Sequence, residues 1–375
     1  MHHFKIALVG CGRVAKKHLK AINYLNRSSR KRDFRLSLSH LVDPNREAAE
    51  VLADAYKGSE RPLICQSLDQ VFGESSDPAF APDSGSAPDL VAITTPSGLH
   101  FQQAKLALDK DCHVLIEKPI CLKLAEADEL VNLAENRDKK IVVGHIYRYF
   151  PILADLVRDL RSSTFGKPLY GVVQVRWGHD QAYYDQADWR GSWKLDGGAV
   201  MNQSIHGLDL AHWLLGEPDL LSARGCLARQ CHTIEAEDLG LGIFEFAENI
   251  WLNLEGTTNT DPDLHEASFF IRYTGGEIRA RLLGKEISLS IRDKDGRELK
   301  YAYLWRYLRK AVRRQGVSYL GQVSNPHTAI YLDLAESILE DRQPLAPGQC
   351  GRSSLDMVLA LYRSEWGNAG PSPML

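Results

Sequence analysis

The sequence predicts an α/β chain: an N-terminal doubly wound parallel sheet, then a C-terminal α+β domain with a largely antiparallel open sheet. Three observations predict it. The first 145 residues alternate short apolar runs with helical patterns, as parallel βα units do. A glycine-rich turn joins the first of those runs to the first helix. Beyond Pro151 the alternation gives way to period-two strands separated by turn signals. At 375 residues the chain exceeds one ordinary core, so two domains are expected, at 1–148 and 149–375.

Taken in order, residues 4–9 read as a buried strand and 14–25 as the helix after it; 35–42 and 45–57 repeat the pair. Further apolar strands are expected at 90–94, 113–116 and 141–144, with a helix over 100–108. Two stretches interrupt this pattern. Residues 26–33 are polar and basic, and 74–89, rich in Ser, Pro, Asp and Gly, read as a mobile surface loop. In the second half Leu169, Gly171, Val173, Val175 and Trp177 share one parity, so one face of that strand is buried. Strands follow at 239–246, 250–256, 267–273, 277–283 and 286–292, with Gly275-Gly276 and Asp295-Gly296 as turns beside them. Tyr331, Leu334, Ala335, Ile338 and Leu339 keep helical spacing, so the chain closes on amphipathic helices.

Composition narrows the function. A hydrophobic share of 44% with 25% charged residues is that of a globular protein, and a net charge of −3 gives no reason to expect nucleic acid or an anionic membrane. The basic runs at 27–32 and 306–314 read as solvated loop and helix faces. No apolar run reaches the roughly 18 residues of a membrane span, and the N-terminus enters a strand without the parts of a signal peptide. Seven cysteines without a CxxC read as reduced thiols, so a cytoplasmic location is expected. Cys226, Cys231 and His232 are too sparse a set for a metal centre, and no metal is expected.

Gly10-Cys11-Gly12-Arg13-Val14-Ala15 is a GxGxxA between strand and helix, the Rossmann signature. Gly10 permits the turn, Gly12 lets backbone approach a pyrophosphate, and Ala15 lets helix and strand pack. Gly10, Gly12, Arg13 and Val14 thus form the expected phosphate cradle at the positive end of the helix dipole. Asp43 ends the second strand, about 30 residues beyond the glycines, where a carboxylate accepts hydrogen bonds from ribose hydroxyls. A carboxylate there repels a 2′-phosphate, so NAD is expected rather than NADP, although Arg46 stands close in sequence. Asp43 also suits a cap on the following helix, and the two roles are compatible.

Thr95, Pro96, Ser97 and His100 follow the third of these strands, and Glu117-Lys118-Pro119 the fourth. These are carboxyl ends of parallel strands, where open α/β sheets place ligands, so Thr95, Pro96, Ser97, His100, Glu117 and Lys118 are expected at the cofactor. Lys118 suits proton transfer from an alcohol, because an ammonium among apolar walls loses its proton more readily. If the stretch from about Ala199 is α-helical, Asn202, His206 and Asp209 share one face at i, i+4 and i+7, opposite Met201, Ile205 and Leu208.

GCGRVAKKH, TTPSGLH, EKP, the Arg148/Pro151 segment and GGAVMNQSIHGLDL occur in this order, and together they resemble the glucose–fructose oxidoreductase/inositol dehydrogenase family. The closing NPHTAIYLDLAESILEDRQPLAPGQCGRSSLDMVLALYRS is similar to that family's last helices. The resemblance implies that Lys118 and His206 are the catalytic pair, oriented by Asn202 and Asp209. Two positions depart from the pattern. Asn202 stands where many members carry an aspartate, and an amide cannot take a proton. Ser97 replaces the usual asparagine of a TPN turn. Residues 177–209 are similar to the branch that oxidises C3 of UDP-N-acetylglucosamine or its uronic acid. Arg148, Tyr184, Trp189, Arg190, Trp193, Asn202 and His206 are therefore expected to line the substrate. Physically, Tyr183, Tyr184, Trp189 and Trp193 suit stacking on sugar or uracil, and equally a core or interface; Arg176, Arg190 and Lys194 suit phosphate or carboxylate. The resemblance also implies a homodimer or homotetramer built by sheet contact. Three other readings stay open: a free-sugar or inositol dehydrogenase of the same family, an NAD-dependent glycosidase, and a silent NAD-binding regulator.

Overall fold

The computed structural model describes residues 1–27, 32–73, 87–162, 165–315 and 325–367. In chain order its elements are β1 (His2–Val9), α1 (Ala15–Arg27), β2 (Phe34–Val42), α2 (Arg46–Ala55), β3 (Leu63–Cys65), α3 (Leu68–Val71), β4 (Leu90–Ile93), α4 (His100–Asp109), β5 (His113–Ile116), α5 (Leu124–Asn136) and β6 (Ile141–Val143). There follow α6 (Leu153–Arg161), β7 (Pro168–Arg176), α7 (Gln181–Tyr184), a π-helical segment (Ala199–Ser204), α8 (Ile205–Leu214), β8 (Leu220–Ala228), β9 (Leu239–Phe246) and β10 (Ile250–Thr257). The chain continues through β11 (Glu266–Tyr273), β12 (Gly276–Leu283), β13 (Glu286–Asp293), α9 (Lys300–Gln315), α10 (His327–Leu339) and α11 (Gly348–Trp366).

These form two compact units. The first comprises Met1–Cys121, Ala125–Tyr149 and Gln315–Gln349; the second comprises Leu122–Leu124, Phe150–Arg314 and Cys350–Leu375. The break at Tyr149 lies beside the expected one at 148, but the return of Gln315–Gln349 to the first unit is absent from a two-segment reading. Its cause is packing. His327 and Tyr331 of α10 pack against His18 of α1, tilted and edge-on respectively, and Val143 at the edge strand donates to the Ala346 carbonyl. Helical spacing identifies α10 as amphipathic, but does not say which surface it covers.

The first unit is a six-stranded parallel sheet in the order β3-β2-β1-β4-β5-β6. Ile6 to Val9, all of β4, and Val114 to Ile116 are buried, which is why these strands read as continuous apolar runs. The order reverses between β1 and β4, so their carboxyl ends diverge around Gly10 and Thr94 and leave the crevice in which such sheets bind ligands. Most of the 74–89 stretch, and 28–31 of the basic one, lie outside the described residues.

The second unit is a seven-stranded sheet in the order β13-β12-β11-β7-β10-β9-β8, antiparallel except for the β7–β10 pair. β8 has no clean alternation of buried and exposed residues, which is why period-two reading passes over it. The basic run 306–314 lies on α9, where Arg306 and Tyr303 bind Asp159 and Lys310 binds Asp155, both on α6. Its charges hold one helix on another. Among the described residues no helix is long and apolar enough to cross a membrane.

α8 lies directly on β7 and β11. A Cβ at Gly207 would come within 2.8 Å of Val173 and 3.0 Å of Val175, so only glycine permits this approach. The Gly207→Ala variant is expected to lose about 1–3 kcal/mol through overpacking, read as a lower denaturation midpoint. An unchanged midpoint would mean that α8 lifts without cost.

Candidate cofactor and substrate sites

In the first unit, Gly10 adopts φ of +86°, and a Cβ there would lie 2.9 Å from the Thr94 and Thr95 backbone. The turn therefore admits only glycine. Gly12 is exposed, and a Cβ there would meet nothing within 4 Å, so the start of α1 opens onto the space a pyrophosphate needs. Arg13 and Val14 lead from it into the helix, whose first N–H groups have no intrahelical partner. The cradle fits a dinucleotide.

Asp43 has a second duty. Its Oδ2 accepts from Cys11 N at 2.7 Å and its Oδ1 from Asn45 N at 2.8 Å, so it ties the glycine turn to the end of β2. Each oxygen keeps a further lone pair for a ribose hydroxyl. The cap of α2 is Asn45, which accepts from Ala48 N; Asp43 is not the cap. Burial, and then Asp43, push the Cys11 thiol up to about 12, so this cysteine stays protonated.

Past β4, Thr95 Oγ1 donates to Gln103 at 2.6 Å and Pro96 opens the turn, whereas Ser97 is buried. His100 corrects its expectation. It is 1% exposed, with Nδ1 2.7 Å from the Pro119 carbonyl and Nε2 3.0 Å from that of Thr95. It braces the two loops and presents no nitrogen to a cofactor. Glu117 is corrected likewise, because its carboxylate turns inward to His18 and His327. Lys118, next in the chain, is half-buried and joined to Pro119 by a cis peptide bond. Arg148 is 2% exposed and donates to the Leu345 carbonyl within this unit, a structural post where a substrate contact was expected.

In the second unit the π-helical segment replaces the expected first turn of an α-helix. Glu237 causes it to start where it does. Its backbone carbonyl accepts from Ala199 N at 2.8 Å, and its side chain accepts from Val200 N at 2.9 Å and the Tyr362 hydroxyl at 2.8 Å. Ser204 Oγ reaches back five residues to the Ala199 carbonyl, in keeping with the wider turn. Asn202, Gln203 and His206 are half-buried among otherwise buried neighbours, while Asp209 is 1% exposed. Asp209 keeps ordinary helical spacing from His206 within α8 but is buried, whereas the π turn changes the spacing of Asn202 from both.

Asn202 donates to Asp196, whose other oxygen accepts from Gly191 N at 2.9 Å. Gly191 lines an open cleft of about 380 Å³ together with Tyr184, Asp188, Arg190, Thr233 and Glu235. The Arg190 guanidinium lies over Tyr183 at 4.3 Å and over Trp189 at 4.6 Å, and its buried Nε has no hydrogen-bond partner among the described residues. Two expected contacts are corrected. Trp193 is 8% exposed and packs edge-on against Tyr362 and Trp366. Arg176 is held by Glu255 and Glu266 across the sheet, so its guanidinium is already paired with two carboxylates. Tyr184 lines the cleft, but its ring is buried and its hydroxyl bonds Thr258 at 3.0 Å.

Sequence reasoning passed over Glu237, His179 and the Asp238 site. His179 stacks on Tyr183 and meets Gln203, while Asp238 accepts from three consecutive backbone N–H groups, at Gln230, Cys231 and His232. His232 is thereby turned to Asp238, and Cys226 and Cys231 are exposed thiols. The acidic run 235–238 ahead of β9 was the available signal.

Residues 4–145 match the oxidoreductase family with an NAD-binding Rossmann fold, and residues 155–286 match the GFO/IDH/MocA C-terminal domain. The chain belongs to the GFO/IDH/MocA oxidoreductase family. Residues 4–145 are the NAD-binding domain of that family. Among similar proteins, the UDP-N-acetylglucosamine 3-dehydrogenase of Acidithiobacillus ferrooxidans is 29% identical over 236 residues, 61% of this chain and 60% of that protein. The match thus spans about three fifths of that relative. The WlbA dehydrogenase of Bordetella pertussis, solved with NADH and UDP-GlcNAcA, is 26% identical with a TM-score of 0.78, covering 99% of this chain and 97% of its own. The WlbA dehydrogenase of Chromobacterium violaceum, solved with the same two molecules, is 26% identical with a TM-score of 0.77, covering 97% and 94%.

Burial pushes the Glu237 carboxyl up from its ordinary 4.5 to about 7, more than its hydrogen bonds pull it down. Between those values the folded state keeps a proton that the unfolded state has lost. Stability should therefore fall as pH rises from about 4.5 to about 7, by on the order of 3 kcal/mol, and stay lower above it. Glu237→Gln should lack that slope, so the stability difference between wild type and variant should change across this range; parallel profiles would refute it.

Proposed function

We propose that this GFO/IDH/MocA oxidoreductase oxidises a secondary alcohol, at C3, of a nucleotide-linked N-acetylhexosamine or its uronic acid. The observation that carries the reading is the Arg190 cleft. A guanidinium held over the rings of Tyr183 and Trp189 is preorganised for a diphosphate or carboxylate, and these rings suit stacking on a sugar or base. Through Gly191 and Asp196 the same cleft connects to Asn202, four residues before His206. Two similar proteins of nearly full overlap were solved with UDP-GlcNAcA, which supports this substrate class.

NAD supplies the hydride acceptor at nicotinamide C4. The chain's own residues do the rest. Gly10 to Val14 hold the pyrophosphate, Asp43 takes the adenosine ribose hydroxyls, and Thr95 with Pro96 borders the cofactor. Lys118 and His206 carry the hydroxyl proton away as the carbon loses hydride. Asn202 cannot accept that proton, so it orients, held by Asp196. Tyr170, Leu241, Ile243 and Trp251, 40–50% exposed on one face of the second sheet, support assembly as a homodimer or homotetramer through that face. Sedimentation as a monomer would count against it.

With a panel of UDP-sugars, UDP-N-acetylglucosamine or its uronate should give NADH absorbance, or a 3-keto product by mass spectrometry if the cofactor stays bound and is recycled. Turnover of free inositol or glucose but of neither nucleotide sugar would overturn the substrate class. Lys118→Ala should lower kcat by about 10²–10⁴-fold, far more than it weakens NAD binding. Equal turnover would remove Lys118 from the mechanism.

A further inference from the structure

Glu117, immediately before Lys118, is gripped by histidines of α1 and α10, all within the first unit. His18 Nε2 lies 2.9 Å, and His327 Nε2 3.1 Å, from the same carboxylate oxygen, Oε1. The outer nitrogens are engaged too: His18 Nδ1 meets the Tyr331 hydroxyl at 3.0 Å, and His327 Nδ1 meets Asn325 Oδ1 at 3.1 Å. Asn325 can be oriented in only one way, because its Nδ2 donates to the Lys17 carbonyl at 3.1 Å. Turned over, it would set two oxygens against each other there.

Counting hydrogens then decides the charge. Asn325 Oδ1 has none, so His327 Nδ1 must donate to it. A neutral imidazole carries a single N–H, and its Nε2 would aim a lone pair at the Glu117 carboxylate. A second ring proton removes that repulsion. His18 needs no such proton, since the Tyr331 hydroxyl donates to Nδ1 while Nε2–H donates to Glu117. Burial pushes His18 downward, in favour of its neutral ring. Burial also pushes the Glu117 carboxyl up, but hydrogen bonds from His18 and His327 outweigh it and hold the group well below its ordinary range, so the proton is not there. His100 also faces two oxygens, but both are uncharged carbonyls, and burial outweighs their pull and pushes this ring downward, in favour of its neutral form.

The grip has a direction. A Cβ at Gly144 would lie 2.8 Å from Glu117 Oε2, so this glycine leaves the space the carboxylate fills. Lys118 is bracketed, with Glu117 clamped on one side and the Pro119 carbonyl held by His100 on the other. Among the described residues, the other charged or titratable groups around the pair are Lys17 on α1, His100 on α4, Tyr331 on α10 and Lys118 itself.

We propose that His327 is a resident imidazolium which, with a neutral His18, clamps Glu117 and positions Lys118, its charge cancelling that of the carboxylate beside the lysine. The positioning part rests on Lys118 carrying the proton in the reading above; the charge state does not. Ring nitrogens of the ¹⁵N-histidine-labelled full chain, followed by NMR against pH, test the charge. One ring, missing in His327→Gln, should show both nitrogens protonated at pH 7.5, and a second, missing in His18→Gln, a single protonated Nε2. A singly protonated His327 would overturn the proposal, as would one equivalent of a divalent metal found by elemental analysis bridging the three side chains. Competitive acylation of Lys118, read by mass spectrometry, tests the positioning without any substrate. His327→Gln leaves Glu117 uncompensated, so labelling at pH 8 should fall by about threefold or more, half a pKa unit. The Glu117→Gln/His327→Gln double variant restores neutrality and should recover it. An unchanged labelling profile, or no recovery in the double variant, would refute the positioning role. Should the variants fail to fold, a wild-type spectrum in which no histidine ring carries two protons at pH 7.5 would still overturn the proposal.

Discussion

A carboxylate taken out of water must recover its hydrogen bonds from the protein, and the donors it finds are then fixed in place. Five acidic side chains do this here, four of them at loops that carry a functional expectation. Asp43 holds the glycine turn through Cys11 N, and Glu117 fixes the residue before Lys118 through His18 and His327. In the second unit Asp196 holds Asn202 and Gly191, Glu237 holds the first residues of the π-helical segment, and Asp238 gathers the 230–232 turn. The loops need such anchors because they leave the regular ladders of strand and helix at the positions where ligands must approach backbone. Removing one acceptor would leave several buried N–H groups without partners, at about 1–3 kcal/mol each.

The same logic explains which glycines matter. Gly10, Gly144, Gly198 and Gly207 stand where another group occupies the space of a Cβ: backbone at Gly10, the Glu117 carboxylate at Gly144, the Glu237 carboxylate at Gly198 and the valines of β7 at Gly207. Gly12 is the opposite case, with nothing beside it. Three of these glycines let a buried group come close, one forms a turn, and one leaves room for a ligand. Side chain and void are complementary on both sides of each contact, so these loops are positioned before any ligand arrives.

Much of the fold was legible because its signals are local. Apolar runs located β1, β2, β4, β5 and β6, and period-two alternation located β7 and β9 to β13. The edge strand β8 was not legible, since it buries too little on either face to alternate. At the candidate sites, glycine spacing and strand–turn context marked the cradle. The roles of His100, Arg148, Trp193 and Arg176 were misjudged for one common reason. A histidine, arginine or tryptophan has the same chemistry in a ligand pocket as in a buried brace, and only its neighbours tell the two apart.

What the sequence by itself determined is the turn at Gly10, the NAD-binding unit, and the identity of the groups able to move a proton, because torsional freedom and side-chain chemistry belong to single residues. Tertiary structure alone decided which carboxylates would be buried and what would meet them. Glu117 finds its partners 99 and 210 residues away in the chain, and Glu237 finds Tyr362 at a separation of 125. No local pattern encodes such meetings, since they depend on which surface α10 and α11 cover. The π turn belongs with them. Its sequence is compatible with an ordinary helix, and the Glu237 hydrogen bonds that start it come from outside the segment.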